Sequence, residues 1–252
     1  MEPGDRYTTF ENLDSELKDI KETCSKLFSE NWEENFEAIT ELRSYTKYNF
    51  EEFKHYWTYL RPRIMQVSFS LRSFLSKNSL MLLSELFSQP RPEMTPTDIL
   101  ESLLNKSSSE KSFLKSEILT AISNICQNFL NLEIFKVILQ QTLSKSSGIA
   151  KISLKLVEKH IEKLGPSDKF EVLLMLEEGK RQEHQILGKK VFTELQLTWP
   201  EFKESCEKLS ENRKKWLLGL SKEKISEKPS LKALISQSKK IPKENSDIFI
   251  NE

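Results

Sequence analysis

Residues 111–165 read KSFLKSEILTAISNICQNFLNLEIFKVILQQTLSKSSGIAKISLKLVEKHIEKLG. Three apolar stripes run through them. Ile118, Ile122, Ile125 and Phe129 are spaced 4, 3, 4. Leu132, Phe135, Leu139 and Leu143 are spaced 3, 4, 4, and Leu154, Val157, Ile161 and Leu164 are spaced 3, 4, 3. Each set lies on one face of an α-helix. Only short polar segments separate the three helices, so neighbours must pack as antiparallel pairs. Gly165-Pro166 then stops one helix and starts the next.

The same pattern extends both ways. It predicts helices at roughly 14–29, 32–47, 51–69, 71–88, 95–105, 110–129, 131–144, 149–164, 167–178, 184–197, 200–209 and 211–220. Ser29 or Asn31 can cap the second of these, with Glu33 and Glu34 in its first turn. Pro62 should kink or divide the third. Pro90, Pro92 and Pro96 mark one long irregular connection. No stretch alternates with period two between hairpin turns, so no sheet is expected.

A dozen short helices in series, none able to bury its stripe alone, describe an α-solenoid. The fold expected is all-α, about six helical hairpins spanning 14–220. Residues 1–13 are expected to form a flexible start. Residues 221–252 are expected to form a Lys/Ser-rich tail, partly disordered or docked as a short helix through Leu231, Leu234 and Ile235.

Composition narrows the function. The 252 residues carry 38 basic and 38 acidic side chains, a balance unlike that of a general nucleic-acid binder. Acidic residues crowd the first fifty positions and lysine pairs the last third, giving the molecule an electrostatic polarity. The polar start is no signal peptide, and no apolar run approaches the roughly 20 residues that span a bilayer. A cytoplasmic protein with no membrane contact is expected.

Cys24, Cys126 and Cys206 lack zinc-ligand spacing and suit reduced, partly buried positions. His55, His160 and His184 fall on different helices and are expected to be solvent-facing or half-buried, with no metal among them. No phosphate-binding loop, nucleophile elbow or HExxH is present. No catalytic residues and no cofactor are expected, and the protein is read as not an enzyme.

Several segments in order resemble TOG domains, closest to the TOG-array regulators of axonemal microtubules and more loosely the CLASP family. They are NWEENFEAITELR (31–43), LRSFLSKNSLMLLSELF (71–87), KSFLKSEILTAISNICQN (111–128), VEKHIEKLG (157–165) and LGKKVFTELQLTWPEF (187–202). The resemblance implies a paddle of about six HEAT-like hairpins. Its intra-repeat loops would form one edge that holds αβ-tubulin, as a free dimer or in the microtubule lattice.

On that reading Trp32 is the apolar anchor. Arg72 and Lys77 represent the second loop, Lys111 and Lys115 the third, Lys145 and Lys151 the fourth, and Lys180, Arg181 and Lys189 the fifth. The resemblance also implies a cytoskeletal, ciliary or axonemal setting, with other axonemal proteins as further partners.

This chain departs from the family at several points. Family arginines fall on Lys77, Lys115, Ala150, Gln185 and Lys189, and lysine keeps the charge without the planar fork. The rival expectation is therefore a helical-repeat adaptor that has lost the tubulin edge. For Trp32 the competing role is repeat-capping core. For Arg72 it is a bond to neighbouring carboxylates that ties two repeats together.

Overall fold

The computed structural model describes residues 7–91, 93–108, 112–179 and 181–222. Among these it contains twelve α-helices, one 3-10 turn (Ile161–Lys163) and no strand. The helices are α1 Ile20–Leu27, α2 Trp32–Tyr48, α3 Phe50–Ser68, α4 Ser73–Leu86, α5 Thr97–Lys106 and α6 Ser112–Asn128. They continue with α7 Leu132–Thr142, α8 Ser147–His160, α9 Pro166–Leu176, α10 Gln182–Thr198, α11 Phe202–Glu207 and α12 Glu211–Lys222.

Local chemistry accounts for most of the ends. The Asn31 side chain accepts from the Glu33 amide at 2.9 Å and caps α2. Asn131 accepts from the Ile134 amide at 3.0 Å and caps α7. Pro166 occupies the first turn of α9, where its missing N–H costs nothing.

Two expectations change. The first helix begins at Ile20 rather than near 14, because Asp19 accepts from the Lys21 amide and fixes the start there. Pro62 does not divide α3, which runs unbroken to Ser68. Pro62 and Thr58, whose carbonyl loses its partner, both lie on the exposed face, where water replaces the missing bond.

Hairpin partners α1–α2, α3–α4, α5–α6, α7–α8 and α9–α10 pack together. Odd-numbered helices stack in one layer (α1 on α3, α5 on α7, α7 on α9). Even-numbered helices stack in the other (α2 on α4, α4 on α6, α8 on α10). This is an all-α, HEAT-like solenoid. The sixth pair is reduced: α11 has only 6 residues, and α12 packs on α10. The middles of the inward stripes are fully buried, as at Leu42, Leu60, Leu83, Ile122 and Phe135, while Phe129 and Leu132 at their ends are half-buried.

Asparagines set the register between repeats. Asn78 on α4 donates to the Phe36 carbonyl of α2 at 3.1 Å. Asn124 and Asn128 on α6 donate to the Ser84 and Phe87 carbonyls at 2.8 and 2.9 Å. Each bond satisfies a polar group that stacking would otherwise strand.

Residues 7–13, expected as part of a flexible start, lie against α2. Leu13 is buried, its carbonyl accepts from the Tyr48 hydroxyl at 3.0 Å, and Lys47 donates to the Phe10 carbonyl at 2.7 Å. The expected tail, 221–252, lies outside the described residues apart from Ser221 and Lys222, which end α12.

Candidate binding edge

Five connections join the hairpin partners: 28–31, 69–72, the one that leaves α5 at 107–108, 143–146, and the one that leaves α9 at 177–179 and enters α10 at Arg181. Contacts between neighbouring loops carry a continuous edge along the solenoid. Arg63, near the end of α3, donates to the Leu27 carbonyl at 2.9 Å and to Asn35 Oδ1 at 3.0 Å, joining the second hairpin to the first loop. Lys106 at the end of α5 stands 5.7 Å from the Phe69 ring of the second loop.

Gly148 in the first turn of α8 is packed against Ser108, so a Cβ there would approach the Ser108 Cβ to 3.1 Å and the third loop abuts the start of α8. Arg181 of the fifth loop donates to the Ser144 carbonyl of the fourth at 2.8 Å. Below it, the His184 ring bonds Thr142 Oγ1 at 2.9 Å.

The expected site residues distribute unevenly along this edge. Trp32 begins α2, half-buried against the core. The exposed Arg72 guanidinium lies 5.8 Å from its ring, within the range of a cation–π contact. Arg72 has no ion pair among the described residues, so it is not the carboxylate tie between repeats.

That tie is made by Arg43. Its fully buried guanidinium meets Glu85 bidentately at 2.8 and 2.5 Å and Asn78 Oδ1 at 2.9 Å. Burial pushes the Glu85 carboxyl up, and the Arg43 fork pulls it part of the way back.

Lys145 is exposed in the fourth loop, Lys115 is exposed in the first turn of α6, and Lys151 is exposed in α8, four residues past its start at Ser147. Lys77 sits about 6 Å inside its helix start. It is half-buried, 4.0 Å from Glu117 and 4.6 Å from the Tyr7 ring centre, which leaves it little reach for a partner. Lys189 is half-buried about 10 Å inside α10. Lys111 and Lys180 lie outside the described residues.

Three apolar edge residues lie outside the stripes and site positions expected from the sequence, and a fourth, Leu143, was expected on the inward stripe of α7 but is exposed where that helix ends. Phe28, Leu71, Phe113 and Leu143 sit in or beside the first four loops and keep 44%, 93%, 39% and 44% of their surface exposed. Three of them precede a basic residue by one or two positions: Leu71-Arg72, Phe113 before Lys115, and Leu143 before Lys145. The edge therefore alternates apolar steps with cations, which suits a partner that is both acidic and partly apolar. For Phe28, Leu71 and Phe113 the signal in the sequence was an apolar residue beside a helix end that the inward stripe does not need.

The remaining polar chemistry is enclosed. His160 and His184 are buried rather than half-buried, because each turns inward beneath its helix end. Burial, foremost, and nearby cations push both imidazoles below their ordinary range. Burial raises all three thiols, that of Cys126 to about 12. Among the described residues no cluster of three metal-ligating side chains occurs, and no helix is long and apolar enough to cross a membrane.

Comparison with known families places residues 13–186 in one match, to the family model described as CLASP N terminal. No curated protein matches the chain.

Proposed function

The chain belongs to the CLASP N-terminal family, a TOG-like, microtubule-associated group, and from that premise we propose that it is a non-catalytic module that binds αβ-tubulin through its loop edge. The observation that carries this reading is the run of loop-to-loop contacts ending in the Trp32–Arg72 pair. Together they present an aromatic anchor and exposed cations along one side. Tryptophan supplies the largest desolvated contact, and spaced cations steer an acidic partner and fix its register. The burial of His160, His184 and Cys126 keeps these side chains from reaching a substrate, which supports the non-catalytic reading.

The setting proposed is ciliary or axonemal, on the strength of the segment resemblances, with lattice-bound neighbours supplying the valence that one domain lacks. A second reading, an adaptor that no longer holds tubulin, draws support from two positions. Ala150 stands buried where the family has arginine, and Arg181 is engaged with Ser144.

Co-sedimentation with microtubules and gel filtration with free tubulin separate the two. Tubulin binding by the wild type, weakened by Trp32→Ala, by Arg72→Glu and by joint reversal of Lys111 and Lys115, supports the edge. No binding to dimer or polymer at low salt rejects it in favour of the adaptor. Equal binding by all the variants rejects the residue assignment.

A further inference from the structure

Helices α8 and α10 lie side by side but do not close on each other. A groove of ≈ 400 Å³ separates them, opening onto the loop edge at Lys151 and Glu183. Its floor is apolar, built from Ile152, Ile186 and Leu187, and Ile186 keeps 44% of its surface exposed.

One wall is cationic. Lys151 and Lys155 line it, and Lys159, one turn further along α8 and outside the lining, continues the exposed row at the same four-residue interval. Lys190 on the opposite wall is already paired with Glu162 at 3.4 Å, whereas the three α8 lysines make no ion pair among the described residues. We propose that this groove is a docking site for an acidic, amphipathic peptide segment of a partner protein, with its carboxylates along the α8 lysines and its aliphatic side chains on the isoleucine floor.

Charge complementarity argues for this occupant, and the spacing argues for the register. Four residues of helix advance about 6 Å. Alternate residues of an extended peptide advance about 6.6 Å, and helical carboxylates one turn apart advance about 6 Å. Either form can present one carboxylate to each lysine in turn.

The groove also selects against other polyanions. Glu158 and Glu183 stand among its lining residues and repel an unbroken run of negative charge. An apolar floor offers nothing to a phosphate backbone. A segment with mixed side chains uses both features.

The test uses the whole chain and fluorescence anisotropy at low ionic strength. The probe is a fluorescein-labelled peptide of repeating Glu-Glu-Leu units. Polyglutamate of equal charge and a single-stranded oligonucleotide serve as competitors. The wild type should bind the Glu-Glu-Leu probe, with both competitors at least about tenfold weaker.

Lys155→Glu with Lys159→Glu, and separately Ile186→Asp, should each weaken the probe by about tenfold or more, with thermal melts unchanged. These three positions lie outside the proposed tubulin edge, so their tubulin binding should stay at the wild-type level. Failure of the wild type to bind the probe overturns the proposal, and so does equal binding by both variants. Competition by polyglutamate or oligonucleotide at parity overturns it as well, because the wall would then be a general cation surface.

Discussion

Arg43 is one side chain on which two repeats depend. It crosses from α2 to α4, and its partners Asn78 and Glu85 lie 35 and 42 residues further along the chain. Nothing local marks it. The sequence shows an arginine late in a helix, and the tie between repeats was expected, as one alternative, at Arg72. Burial could be known only once α4 was stacked on α2.

Removing one partner of a buried pair strands the other, so Arg43→Ala should cost about 3–5 kcal/mol, read by urea unfolding. Arg43→Lys keeps the charge but loses the fork, and should recover only part of the loss. Replacing both partners, Arg43→Met with Glu85→Leu, should cost less than Arg43→Ala alone. If the single and double variants are equally destabilised, the pair is not the source of the effect.

At the scale of elements, the helices were legible because their stripes and end signals agree over many residues. Asn31, Asn131 and Pro166 mark their starts locally. The loops were less legible, since their positions depend on distant clamps. Arg63 is the clearest case. It closes on the first loop through the Leu27 and Ser29 carbonyls and Asn35, so it holds the segment that precedes Trp32.

Arg63→Ala should therefore loosen one element rather than the whole. Hydrogen exchange should accelerate at residues 28–35 while the amides of α7 to α9 keep their protection. Global stability should fall by about 1–3 kcal/mol. Uniform acceleration through the chain would show that Arg63 supports the fold and not the loop. The fifth loop has a comparable lock. A Cβ at Gly179 would fall 2.1 Å from the buried His184 ring, so this turn closes only over a residue without a side chain.

Across the whole molecule, His160 and His184 couple the far half of the solenoid to pH. The Thr142 hydroxyl donates to the Leu139 carbonyl at 2.6 Å, so its oxygen accepts from His184 Nε2–H. That leaves Nδ1 buried and bare, as are both ring nitrogens of His160. A folded-state pKa below the ordinary 6.5 of a free imidazole means that the unfolded chain binds these protons first.

Stability is therefore full above about pH 6.5, falls as the pH drops through that value, and levels off below the folded pKa values. Glu85 works the other way, since its raised carboxyl favours the folded state on acidification, but its window opens nearer the carboxylate range. Urea midpoints measured from pH 7.5 down to 5.5 should decline. The decline should flatten in His160→Leu with His184→Gln, where the glutamine can still donate to Thr142. A slope that persists in the double variant would assign the pH dependence to other groups, and the two buried imidazoles would then be simple packing.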